Sequence, residues 1–189
     1  MSSDEIFMQE AIKEARKAYK IGDVPVGCVI VINNEIVSRS HNLRHNFKNS
    51  LFHAEMIAIH RACTKLNRWI LDDATLYVTI EPCLMCSGAI LQSRIKRVVY
   101  GREEPKFGCV ESVMNVFDNN NFNHKVEITK DICGEEINKM MKEFFQELRK
   151  SKKSVQWTDF FNISYCYKTL NICLRNNTHL RISMPTHMG

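Results

Sequence analysis

Two short motifs carry side chains able to do chemistry: His53-Ala54-Glu55 and, further along, Pro82-Cys83-Leu84-Met85-Cys86. By itself a Cys-x-x-Cys pair reads as a redox dithiol or half of a structural zinc site, and points no more to catalysis than to these. The upstream imidazole and carboxylate change the weighing. A structural zinc site closes on four ligands, yet Cys28, Cys63, Cys109 and Cys133 are scattered singly and form no second pair. Three protein ligands, His53, Cys83 and Cys86, with a fourth position left open, make the catalytic arrangement. Zinc with two thiolates and a neutral imidazole has a net charge near zero, so it acidifies water less than an all-imidazole site does. A base must then help, and Glu55 can take a proton from water and pass it to a substrate nitrogen.

The elements that hold these side chains can be read from periodicity. Helical spacing resumes at His53 after a polar loop and continues to Leu66, with Asn67 as the expected cap. Positions i and i+2 diverge by about 200° on a regular helix, so His53 and Glu55 meet one ion only if this helix aims its N-terminus at it. Pro82 suits the first position of a helix running to about Ser93. Cys83 and Cys86 then share one face at the first turn, where the helix terminus favours thiolates. Around them the pattern predicts an opening helix after Ser2-x-x-Glu5, a hairpin of Val26 to Ile32 and Glu35 to Ser40 turning at Asn33-Asn34, and strands at Ala74 to Ile80, Lys96 to Gly101 and Lys125 to Thr129. A helix from Glu135 to Lys150 closes the pattern, with Ile137, Met140, Met141, Phe144 and Leu148 in one apolar stripe.

Composition limits what such a site can belong to. With 189 residues, 44% hydrophobic and 25% charged, the chain reads as an ordinary globular protein with one main domain. No apolar run is long enough to span a bilayer, and Met1-Ser2-Ser3-Asp4-Glu5 is acidic where an export signal is basic, which argues against a membrane or secreted location. Eight cysteines without an export signal are expected to be reduced thiols, so a cytoplasmic location is expected. The net charge of +5 permits nucleic-acid binding without demanding it.

His-Ala-Glu followed by Pro-Cys-x-x-Cys resembles the zinc-dependent nucleoside and nucleobase deaminases. Within that superfamily the chain is similar to the bacterial tRNA-specific adenosine deaminases of the TadA type, from about Asp4 to Lys153. The similarity is carried by Asp23-Val24-Pro25-Val26-Gly27, Asn42, His53-Ala54-Glu55, the segment from Asp73 to Thr79, Glu81-Pro82-Cys83-Leu84-Met85-Cys86, Ser93-Arg94-Ile95, the segment from Asn123 to Thr129, and Phe144-Phe145. The resemblance implies a three-layer α/β/α cytidine deaminase-like fold with a central five-stranded mixed sheet. It implies one Zn2+ per subunit on His53, Cys83 and Cys86, with Glu55 as catalytic proton shuttle. The reaction implied is hydrolytic deamination of adenosine to inosine in the anticodon loop of tRNA, by a homodimer: water adds at C6, Glu55 protonates the ring, and ammonia leaves.

Around the reacting base the resemblance implies contacts from Asn42, Val26 and Leu84, with Phe52 as a further wall. Toward the RNA, Phe145 and Arg149 lie one turn apart as a stacking and phosphate-holding pair, and Lys106, Lys150, Lys152 and Lys153 are candidate phosphate contacts. Two stretches depart from the family pattern: Ser50-Leu51-Phe52 replaces Pro-Thr-Ala, and the loop from Arg102 to Cys109 differs along its length. A deaminase of a free base or nucleoside, guanine or cytidine, is the alternative enzyme. A noncatalytic zinc-stabilised RNA-binding subunit is the alternative of another class, against which Glu55 weighs. The expected organisation is a deaminase domain over residues 1–153 and a C-terminal extension over 154–189.

Overall fold

A computed structural model describes residues 1–118 and 121–151. The expected domain boundary at 153, and with it Lys152 and Lys153, lies outside the described residues. The chain divides into two compact units, Met1–Phe145 and Gln146–Gly189. In the second, residues 146–151 are helical.

The first unit opens with helix α1 (Ser3–Lys20), started by a reciprocal cap: the Glu5 amide donates to Ser2 Oγ while the Ser2 amide donates to the Glu5 carboxylate. Strands β1 (Gly27–Ile32) and β2 (Glu35–His41) form the expected hairpin. Asn33 and Asn34 both take positive φ, 51° and 61°, as a two-residue turn matched to the strand twist requires. Helix α2 (Ala54–Leu66) ends on Asn67 in the left-handed conformation. Strand β3 (Thr75–Val78), helix α3 (Leu84–Gln92) and strand β4 (Arg97–Tyr100) follow, then β5 (Glu127–Thr129) and α4, helical from 134 to the end of the unit at 145. Strands β1, β3, β4 and β5 are shorter than the runs that predicted them, whereas β2 extends one residue further, to His41. Helix α3 also departs from expectation, because Pro82 stays outside it and Cys83 is its cap. The Pro82 carbonyl accepts from the Cys109 amide, and Cys83 pairs with Gly108 as an isolated bridge, so this stretch is held extended by the facing loop.

The sheet has the order β2-β1-β3-β4-β5, antiparallel across β2, β1 and β3 and parallel across β3, β4 and β5. Alternation along the strands builds two cores. Cys28, Ile30, Leu76, Val78, Val98 and Tyr100 pack toward α2 and α3, whereas Val29, Val31, Tyr77 and Val99 pack toward α1 and α4. This is the three-layer α/β/α arrangement around a five-stranded mixed sheet. Within the α4 stripe Ile137, Met140, Met141 and Phe144 are buried, while Leu148, in the second unit, is exposed.

Two close approaches fix the helices. At Gly27 a Cβ would lie 2.0 Å from the Ala11 carbonyl oxygen, so only glycine lets α1 sit this near β1. On the other face Ala54, Ala58 and Ala62 give α2 a smooth side, and the buried hydroxyls of Ser38 and Ser40 donate to the Ala58 and Ala54 carbonyls. Those hydrogen bonds peg α2 to the edge strand in one register. No helix among the described residues is long and apolar enough to cross a membrane.

Candidate metal centre and active site

Topology brings the two motifs together. Because β2 and β3 both run antiparallel to β1, they are parallel to each other, and α2 and α3 leave from the same end of the sheet. Ligand sites in α/β sheets form at such strand C-termini. His53 is the N-cap of α2, with extended backbone (φ −77°, ψ 153°), and Cys83 is the N-cap of α3. The divergence of i and i+2 positions therefore does not arise, since His53 lies outside the helix that carries Glu55. His53 Nδ1 is 3.7 Å from Cys83 Sγ and 3.7 Å from Cys86 Sγ, and the three ligand atoms all lie within 4.8 Å of one another. A tetrahedral zinc with ordinary bond lengths would set its N···S edges at about 3.5 Å, so this donor set fits that ion.

The thiols are unlike one another. A hydrogen bond from the Cys86 thiol, helped by His53, outweighs burial and pulls Cys83 down to about 4, while the same pairing, together with burial, pushes Cys86 up. His53 is raised by its hydrogen bond to Cys83, against burial and against the positive charge of Arg44. A divalent cation among the three would draw both sulfurs toward thiolates, since ligands must deprotonate to bind. Glu55 is 4% exposed, and burial raises its carboxyl above the ordinary range, with His53 opposing. Its Oε2 is buried with no hydrogen-bond partner among the described residues. A buried carboxylate oxygen left unpartnered beside a metal-ligand cluster is suited to moving a proton.

Two buried carboxylates organise the loops beside this cluster. Asp23, 1% exposed, accepts from Asn42 Nδ2 at 2.8 Å and from the amides of His45 and Asn46 at 2.9 and 3.2 Å. Glu81, 3% exposed, accepts from the amides of Glu104, Val110, Glu111 and Ser112 and from the Ser112 hydroxyl. Burial opposes ionisation of Glu81, but these donors outweigh it and hold the carboxyl below its usual value. At Gly108 a Cβ would lie 2.1 Å from Glu81 Oε2, so the loop closes on this carboxylate only through glycine. Sequence reading included both acids in motifs without giving either a role. The available signal was an isolated acid set against Val-Pro-Val or Pro-Cys.

Residues 1–149 match the family model of the MafB19-like deaminases. A tRNA-specific adenosine deaminase of Bacillus subtilis (strain 168) is 49% identical over 156 residues, covering 82% of this chain and 97% of that protein. The chain belongs to this deaminase family. A tRNA-specific adenosine deaminase of Streptococcus pyogenes serotype M1 is 44% identical over 147 residues, covering 78% of this chain and 86% of that protein. A solved structure from work on adenosine-to-inosine editing by tRNA deaminases at the wobble position superposes with a TM-score of 0.69 at 36% identity, covering 71% of this chain and 97% of that one.

In this deaminase the remaining sequence-predicted residues are spread over loops and helices. Asn42 is buried, and its amide is held by Asp23. Val26 is half-buried, and its carbonyl accepts from the Asn42 amide at 2.9 Å. Leu84, at the start of α3, is 56% exposed. Lys106 is exposed on the loop bound by Glu81. Phe145 is 38% exposed and packs edge-to-face with buried Phe144, with centroids 5.3 Å apart. Arg149 is an exposed helical residue of the second unit.

Proposed function

We propose that this deaminase converts adenosine to inosine at the wobble position of a tRNA anticodon loop, using one zinc ion held by His53, Cys83 and Cys86. The observation that carries the chemistry is the unpartnered, buried Oε2 of Glu55 beside that ligand cluster. Support for the substrate comes from the tRNA-specific adenosine deaminases with which the chain shares 44% and 49% identity. Zinc bound there would supply a Lewis acid that lowers the pKa of water, by less than an all-imidazole site would because two thiolates share the ligand set. Glu55 accepts the proton lost from water as the oxygen adds to C6 of adenine, and returns it to the ring nitrogen. It then takes the remaining proton from the added oxygen and delivers it to the exocyclic nitrogen, so that the C6 carbonyl forms as the C6–N bond breaks and ammonia rather than amide anion leaves. The raised pKa that burial gives Glu55 suits a group that must both accept and donate.

Asn42, Val26 and Leu84 are assigned to the base, and Lys106, Phe145 and Arg149 to the RNA. The reading extends to a homodimer in the cytoplasm, with residues 1–153 as the deaminase domain. Exposed Phe107, Val113 and Met114, on the loop bridged to Cys83, support assembly of copies. The described cysteines are all free.

The test is an assay of the zinc-loaded protein on an anticodon stem-loop RNA, free adenosine, free cytidine and free guanine in parallel. Inosine should form in the RNA with a strong preference over every free substrate. Comparable turnover of a free base or nucleoside would replace this reading with that of a small-molecule deaminase.

A further inference from the structure

The loop between β2 and α2 carries a feature that the reaction at Glu55 does not use. Phe47 is 61% exposed, and its ring stacks on that of half-buried Phe52 with centroids 5.3 Å apart and planes 19° apart. Single exposed apolar side chains are ordinary on a folded surface. This one is not single, and its setting is rigid. The loop is closed at its base by the Leu43 amide donating to the Phe52 carbonyl at 3.0 Å. Further in, the Phe47 amide donates to the Leu43 carbonyl, also at 3.0 Å. From below, buried Asp23 binds the amides of His45 and Asn46 and the side chain of Asn46. Asp23 also holds the Asn42 amide group, so one carboxylate sets both the base-side asparagine and the aromatic loop.

The charged side chains that the loop itself carries all have one sign. Between Glu35 and Glu55 the sequence has no acid, while Arg39, Arg44 and Lys48 fall in that interval. Arg44 and Lys48 are exposed and make no ion pair among the described residues. Phe52 adjoins the metal ligand His53 directly in sequence, so this surface begins at the edge of the reaction site. Two stacked rings flanked by free cations match the combination that holds an unpaired nucleobase and its phosphate.

We infer that Phe47, supported by Phe52 and flanked by Arg44 and Lys48, is a stacking platform for an RNA nucleotide adjacent to the target adenosine. The inference rests on the substrate reading above and adds the place where a neighbouring base is held. Phe52 occupies a stretch in which the chain departs from its family pattern, so the platform belongs to this chain's own loop.

The experiment compares the full-length, zinc-loaded wild type with Phe47→Ala and Phe47→Trp. Each is measured for equilibrium binding to an anticodon stem-loop RNA and to two copies of it made abasic on either side of the target adenosine. Zinc content, oligomeric state and turnover of the stem-loop at saturation are followed in the same samples. Loss of one stacked base should weaken RNA binding by roughly 5- to 100-fold in Phe47→Ala, with zinc content unchanged and affinity restored by Phe47→Trp. One abasic RNA should bind wild type with a similar loss and be insensitive to Phe47→Ala. Equal affinity in wild type and Phe47→Ala, or an equal effect of the substitution on all three RNAs, overturns the platform and leaves the substrate reading standing. A change of oligomeric state in Phe47→Ala assigns the surface to a second copy and overturns it as well. Failure of wild type to bind or deaminate the intact stem-loop overturns the substrate reading, and the platform with it.

Discussion

At the scale of single residues, the proposed site divides labour between groups that would hold an ion and one that would move protons. Zinc affinity depends on deprotonated sulfur and a neutral imidazole, so Cys83→Ala and Cys86→Ala should each lower bound zinc well below one per chain. Elemental analysis of the purified variants checks this, and full retention in both would remove these cysteines as ligands. Glu55 differs because its Oε2 has no hydrogen-bond partner to lose among the described residues. Glu55→Gln is nearly isosteric, so zinc content and RNA affinity should persist while turnover falls by on the order of 10²–10⁴-fold, the usual contribution of a positioned acid or base. Single-turnover kinetics on the stem-loop RNA separates that outcome from weakened binding. Near-normal turnover would take the proton-shuttle role from Glu55.

At the scale of elements, the site is a meeting of helix starts and stiffened loops. The N-caps of α2 and α3 supply His53 and Cys83, and the buried acids Asp23 and Glu81 gather the backbone amides of the flanking loops. A carboxylate that accepts several amides fixes a loop far more firmly than one contact would, because each orphaned donor would be left without a partner. Gly108 shows how little room that closure leaves, with a Cβ meeting both Glu81 Oε2 at 2.1 Å and the Glu104 carbonyl oxygen at 2.7 Å. Gly108→Ala should destabilise the fold by about 1–3 kcal/mol, as overpacking of a closed site does. Chemical denaturation measures it. Unchanged stability would mean that the loop opens freely and that Glu81 does not hold it.

At the scale of the whole molecule, the first unit contains the sheet, both cores and the complete ligand cluster. The family match ends at 149, inside the proposed deaminase domain of residues 1–153. A chain shortened to residues 1–153 should therefore keep its thermal transition, its zinc and its turnover of the stem-loop within about twofold of the full chain, a difference of less than ~0.5 kcal/mol. Calorimetry and the deamination assay check it together. Loss of cooperative unfolding in the shortened chain would show that residues 154–189 complete a core.

Read alone, the sequence determined the chemistry of the site and the kinds of element that carry it. Ligand types, the Glu two residues after His53 and the apolar strand run from Val26 to Ile32 are all local patterns, and local patterns survive in one dimension. What the tertiary structure decided depends on partners distant in the chain. That Pro82 stays outside α3 follows from the loop at Gly108 and Cys109, which pairs with Pro82 and Cys83 and draws them out as extended backbone. That His53 and Glu55 can serve one centre follows from the N-cap geometry of α2, which the two serines on β2 lock in place. The roles of Asp23 and Glu81 were hidden for the same reason. A buried carboxylate is defined by the amides it gathers, and those amides belong to residues 22 to 31 positions away along the chain. Periodicity carries no record of such pairings, and only the folded chain brings each acid to its donors.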